Sequence, residues 1–225
     1  MALTDKLTAI ANAIRSKTGG SDLLTLDEMP QEIQSIQTGG GSTEEWDDIV
    51  ITSDNNRPPI TSYSTNRTER IRAYAFYACS LLESIDCPNT VEIGQSAFES
   101  CNSLTEVSFP KATAIQTAAF QDCNSITKAD FGSATRFTSA VFRRADSLET
   151  LIIRTTTGVA SCASATIIAS TPIANGTGYI YVPAALIEDY KVATNWATYA
   201  NQFRAIEDYP EICGDTAADT NGEVS

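Results

Sequence analysis

The run ERIRAYAFYACSLLESIDCPNT (69–90), EIGQSAFESCNSLTEVSFPKAT (92–113), AIQTAAFQDCNSITKADFGSAT (114–135) and RFTSAVFRRADSLETLIIRTTT (136–157) repeats one pattern four times. Phe76, Phe98, Phe120 and Phe142 recur at a strict 22-residue step. A fixed period of this size marks a solenoid. Ile71, Ile93, Ile115 and Phe137 open the units, and Ala75, Ala97, Ala119 and Val141 precede the Phe column. Cys79, Cys101, Cys123 and Ala145 follow it, then Leu82, Leu104, Ile126 and Leu148. Ile85, Val107, Ala129 and Leu151, then Cys87, Phe109, Phe131 and Ile153, complete the set. One unit alone cannot bury this much apolar surface; stacked units bury each column against its copy in the next turn.

In SLTEVSFP (103–110), Val107 and Phe109 alternate with Glu106 and Ser108, the two-residue period of a strand. The preceding stretch, IGQSAFESC (93–101), is too short for a long helix and predicts a tight helical or turn segment on the outer side. Stacked strands then form a parallel ladder at about 4.8 Å per turn. The residues between the apolar positions face outward in two columns: Ser84, Glu106, Lys128 and Thr150, and Asp86, Ser108, Asp130 and Ile152. They form either a solvated face or a binding surface, since solenoids bind through extended faces of this kind. The columns hold no aromatic residue, so polar contacts with a protein or glycan are expected.

These units resemble the BspA-type leucine-rich repeat, whose pattern runs roughly I-x-x-x-A-F-x-x-C-x-S-L-x-x-V-x-I-P. The fourth unit drifts from it at Val141, Ala145 and Arg154. The resemblance implies binding or adhesion, as in bacterial surface proteins and phage tail proteins. The expected fold is an α+β repeat protein. It comprises a short solenoid with a parallel β ladder over 69–157, a helical N-terminal attachment segment and an α/β C-terminal cap.

The N-terminal segment 1–38 carries Leu3, Leu7, Ile10 and Ile14 at spacings of a coiled-coil stripe. A second short helix follows, with Thr25 and Glu28 at capping-box spacing. The glycines of 39–45 form a flexible linker. Two short striped helices predict self-association or docking on a partner, with packing back onto the chain's own solenoid as the alternative. LTAIANAIRSKTGGSDLLTLDEMPQEI (7–33) is similar to the opening of phage tail and tail-fibre proteins, which implies attachment to other tail proteins and favours a trimer. Residues 46–68 are expected to cap the first repeat. Residues 158–213 are expected to form the other cap: a strand at Tyr179–Val182, a helix opened by Pro183, and a further helix capped by Asn195. Trp196, Tyr199 and Phe203 there are expected to seal the core. Residues 214–225 read as a disordered acidic tail.

The chain has 225 residues, net charge −13 and no histidine. Such acidity opposes binding to phosphate backbones and anionic lipid heads, so neither nucleic acid nor membrane is an expected partner. The N-terminus shows no signal-peptide pattern. Together with this, the two resemblances imply a virion tail as the location, assembled from protein made in the host cytoplasm. The alternative, a bacterial surface adhesin, needs an export route. Without histidine there is no Ser-His or Cys-His nucleophile pair. The chain has no CxxC and no phosphate or dinucleotide loop. No cofactor, metal or enzymatic activity is expected. The one carboxylate pair worth weighing is Asp86 and Asp130, two turns and about 9.6 Å apart, at the far limit for an inverting glycosidase. The repeat-column cysteines read as a buried, reduced ladder, with Cys87, Cys162 and Cys213 scattered outside it.

Overall fold

In the computed structural model the described residues are 48–49 and 60–214, the first two as backbone alone. The expected helical segment 1–38 with its Leu3, Leu7, Ile10 and Ile14 stripe lies outside them. So do the linker 39–45 and all but the first residue of the tail 214–225. In chain order the strands are β1 (Asp48–Ile49), β2 (Ser62–Ser64), β3 (Arg70–Ile71), β4 (Ser84–Asp86), β5 (Glu92–Ile93), β6 (Glu106–Phe109) and β7 (Ala114–Ile115). There follow β8 (Lys128–Phe131), β9 (Arg136–Phe137), β10 (Thr150–Ile153), β11 (Ser161–Cys162), β12 (Tyr179–Val182) and β13 (Phe203–Ala205).

Each turn of the solenoid contributes two strands, so two parallel ladders form. One orders the short strands β1-β3-β5-β7-β9-β11. The other carries the longer strands in two separate parallel sheets, β2-β4 and β6-β8-β10-β12-β13. The sequence pattern anticipates the second ladder; the first was not expected. Pairing keeps the 22-residue step, as in Ile71↔Ile93↔Ile115↔Phe137 and Val107↔Ala129↔Leu151. The step holds outside 69–157 on one side, with Asp48↔Arg70 and Tyr63↔Ile85. On the other side the ladder continues to β13 through longer turns, with Leu151↔Ile180↔Phe203.

Between the ladders runs an outer arc, and it is not a helix. Tyr74, Ser96, Ala118 and Ala140 have φ of 52–63°, and Ala78, Ser100, Asp122 and Arg144 have φ of 57–65°. None of them is a glycine, so each costs about 1–2 kcal/mol of backbone strain. Bonding between turns offsets it. Alternate N–H groups of an arc donate to the next arc: Tyr74 to Gln95 O at 2.9 Å, Phe76 to Ala97 O at 2.7 Å, Ala78 to Glu99 O at 2.8 Å. The N–H groups between them close local turns, as from Cys79 to Phe76 O at 3.1 Å. A helix would consume all of its interior donors internally and leave none for the neighbour.

The Phe column fills the space between arc and strands. Phe76, Phe98, Phe120 and Phe142 are fully buried. Their rings stack nearly parallel, with centroids 5.0, 5.0 and 5.2 Å apart. Phe109 and Phe131 form a second stack at 6.2 Å. Beside them Cys101 Sγ donates to Phe76 O at 3.1 Å and Cys123 Sγ to Phe98 O at 2.9 Å. The neighbouring Cys123 thiol, then burial, pushes the Cys101 thiol far above its ordinary range. All six cysteines are free thiols. Among the described residues no buried side-chain nitrogen or oxygen lacks a partner.

The solenoid closes on Trp196, Tyr199 and Phe203, all buried, with Tyr190 beside them. Tyr190 lies on helix α1 (Ile187–Val192), which follows a 3-10 turn at Ala184–Leu186. Asn195 does not cap a helix. Its φ is 66° and its Nδ2 donates to Cys162 O at 2.7 Å, while the 3-10 segment Ala197–Gln202 begins after Trp196 with no side-chain cap.

Candidate binding face

The outward residues of the longer ladder stand in the expected columns. Glu106↔Lys128↔Thr150 and Ser108↔Asp130↔Ile152 are direct cross-strand partners, as are Ser62↔Ser84 and Ser64↔Asp86. The two halves of the face differ in accessibility. Ser84, Asp86, Glu106 and Ser108 are exposed. Ser64 Oγ donates to Asp86 Oδ2 at 3.4 Å. Lys128, Asp130 and Thr150 are half-buried, and Ile152 is fully buried.

Ile152 is therefore not an exposed surface residue, which corrects the reading from its column. The cover comes from residues 206–213, comprising a 3-10 turn at Ile206–Asp208 and the short helix α2 (Pro210–Cys213). Ile152, Tyr181, Ile206 and Cys213 form a small apolar cluster separate from the main core, flanked by Tyr209 and Ile212. Lys128 Nζ donates to Ile212 O at 2.6 Å, and Arg154 Nη2 donates to Cys213 O.

Arg154 also grips both oxygens of Asp130, Nε to Oδ1 at 2.9 Å and Nη2 to Oδ2 at 2.7 Å. That hydrogen bonding raises the Arg154 pKa further. One member of the Asp86–Asp130 pair is thus held as a salt-bridge acceptor. No group of three or more His, Cys, Asp or Glu side chains among the described residues is placed to hold a metal. No described helix is long and apolar enough to cross a membrane.

Outside the columns, Tyr74, Tyr77 and Leu81 are 47%, 40% and 51% exposed on the arc of the first full unit. The tyrosine rings meet edge to face at 5.9 Å, and Gln95 Nε2 donates to Tyr74 Oη at 2.9 Å. Sequence reasoning missed this patch, although the repeat itself flags it. The same columns hold Ser96, Glu99 and Ser103 in the next unit and Ala118, Gln121 and Ser125 in the one after. There the column positions serve the stack instead, with Gln121 Nε2 donating to Glu99 Oε1 at 3.1 Å and Arg143 Nε to Gln121 Oε1 at 3.2 Å.

The family described as BspA type leucine rich repeat region matches residues 61–178 in six copies. No curated protein matches the chain.

Proposed function

We propose that this chain, which belongs to the BspA type leucine-rich repeat family, is a non-enzymatic binding module of a phage virion. In this reading a tail, baseplate or fibre protein presents the repeats to the host surface. Its Leu3, Leu7, Ile10 and Ile14 segment attaches it to other tail proteins and assembles it as a homo-oligomer, trimer favoured. The observation that carries the binding role is the open half of the ladder, where Ser84, Asp86, Glu106 and Ser108 stand free of the main core. Their polar and acidic character suits hydrogen bonding to a host protein or glycan. The engagement of Asp130 by Arg154 weighs against paired-carboxylate hydrolysis.

The experiment has two arms. Mass spectrometry of purified particles should find the chain in the virion; its absence there would overturn the tail assignment. Full-length protein should bind host cells saturably, and Asp86→Lys with Glu106→Lys should reduce that binding about tenfold or more. Binding unchanged by those substitutions but lost in Tyr74→Ser with Tyr77→Ser would move the contact to the aromatic arc. That second location rests on the exposed Tyr74–Tyr77 pair, since tyrosine is enriched at interface hot spots. If particles lack the chain but intact producing cells display it, the reading becomes a surface adhesin.

A further inference from the structure

The covered half of the face carries a segment of the chain itself, residues 206–213. Residues 206–213 contribute no strand to either ladder. They rest on the outward side of β8, β10 and β12 through a cluster of their own. In it, Ile206 and Cys213 meet Ile152 and Tyr181, and Tyr209 meets Tyr181 edge to face at 5.4 Å. The polar contacts are directional. Lys128 and Arg154 donate to the carbonyls of Ile212 and Cys213, at the end of α2. Cationic side chains satisfy the orphan carbonyls at the last turn of a helix in this way.

The two sides of the contact carry opposite net charge. Lys128 stands on β8 and Arg154 directly follows β10, where Asp130 pairs with it. The covering segment carries Glu207, Asp208 and Glu211 and no basic residue. Ala184 N–H donates to Glu207 Oε2 at 3.0 Å and pins the segment where it leaves β13. Ile152 and Tyr181 break the polar character of their column where this segment lies, and in the preceding turns the column holds Ser108 and Asp130.

We propose that Lys128, Ile152, Arg154 and Tyr181 form a peptide-binding notch whose resident occupant is the chain's own segment 206–213. The site accepts an acidic, apolar peptide ending in a helical turn. Displacing the segment opens the rest of the outward face to a partner. The proposal does not depend on which host molecule the open half binds, because its test uses the chain's own peptide.

The experiment uses a chain ending at Ala205 and a fluorescent peptide of residues 206–214 under reducing conditions. The expected result is saturable one-to-one binding that weakens as salt rises and falls about tenfold with Arg154→Gln. A truncated chain that melts cooperatively yet does not bind the peptide overturns the proposal. If the truncated chain does not fold, hydrogen exchange on the full chain decides. The 206–214 amides should exchange on the order of a hundredfold faster than those of the Phe98 and Phe120 arcs. Arg154→Gln should speed the former alone. Exchange of both regions at one common rate would mean that the segment opens only when the whole solenoid does, and the notch would not exist as a separable site.

Discussion

The interior of the solenoid and its C-terminal end use aromatic rings in opposite ways. Inside, Phe76 to Phe142 stack at 5.0–5.2 Å with interplanar angles of 2–8°. At the end, Trp196 meets Phe137, Tyr190 and Phe203 edge-on, at 86°, 74° and 71°. The end rings also carry polar atoms, and these replace a missing turn. Trp196 Nε1 donates to Ala160 O at 2.6 Å, and Ala160 N–H donates to the Tyr190 hydroxyl at 2.9 Å. The Tyr199 hydroxyl donates to Ala165 O, and Asn195 Nδ2 to Cys162 O. In an interior turn the next turn supplies backbone partners, and the Cys101 and Cys123 thiols only add to them. A terminal turn needs apolar fill and polar partners from side chains, and tyrosine and tryptophan provide both at once.

The strongest way to break this comparison is Phe120→Ala. It should cost about 3–5 kcal/mol in a urea titration, since both stacked neighbours lose their partner. A cost well under about 1 kcal/mol would show that the column is not the core. Tyr199→Phe keeps the ring and removes only the bond to Ala165 O, so it should cost about 1–2 kcal/mol. A neutral Tyr199→Phe would mean that the end is sealed by apolar cover alone. The smallest effect is a titration on the arcs. Arg144, with Gln121 beside it, holds the Asp122 carboxyl below the usual carboxylate range. Its folded pKa lies below its unfolded value, so its contribution to stability is present above the unfolded pKa and lost as pH falls through the folded one. Asp122→Asn should therefore flatten the fall of stability below about pH 4, measured by melting across pH. An unchanged pH slope would mean that the Arg144–Asp122 pair, at 2.7 Å from Nη2 to Oδ2, contributes nothing measurable.

The longer ladder was legible because Val107 and Phe109 alternate with polar neighbours over enough residues to show a period. The shorter ladder was not, since two-residue strands such as Glu92–Ile93 are too brief to carry one. The arc conformation was hidden for a different reason. Tyr74, Ala118 and Arg144 are not residues that seek positive φ, and their conformation comes from bonds to the neighbouring arc rather than from local preference. On the face, alternation named the outward residues but could not place a segment from 54 residues further on over Ile152. The one clue was the apolar Ile152 itself in an otherwise polar column. The apolar stripe at Leu3 to Ile14 lies outside the described residues, and assembly through it rests on the spacing alone.

The Phe stack also bears on how such a chain changes length over generations. Every interior turn offers the same rings, the same arc donors and the same strand edges to its neighbour. Duplicating one 22-residue stretch would insert a further ring and lengthen the array by one ring spacing, 5.0 Å between Phe98 and Phe120. The end chemistry at Trp196 and Tyr199 would be untouched. Reach then becomes a quantity that evolution can adjust in fixed increments, while the residues on each new rung are free to diverge.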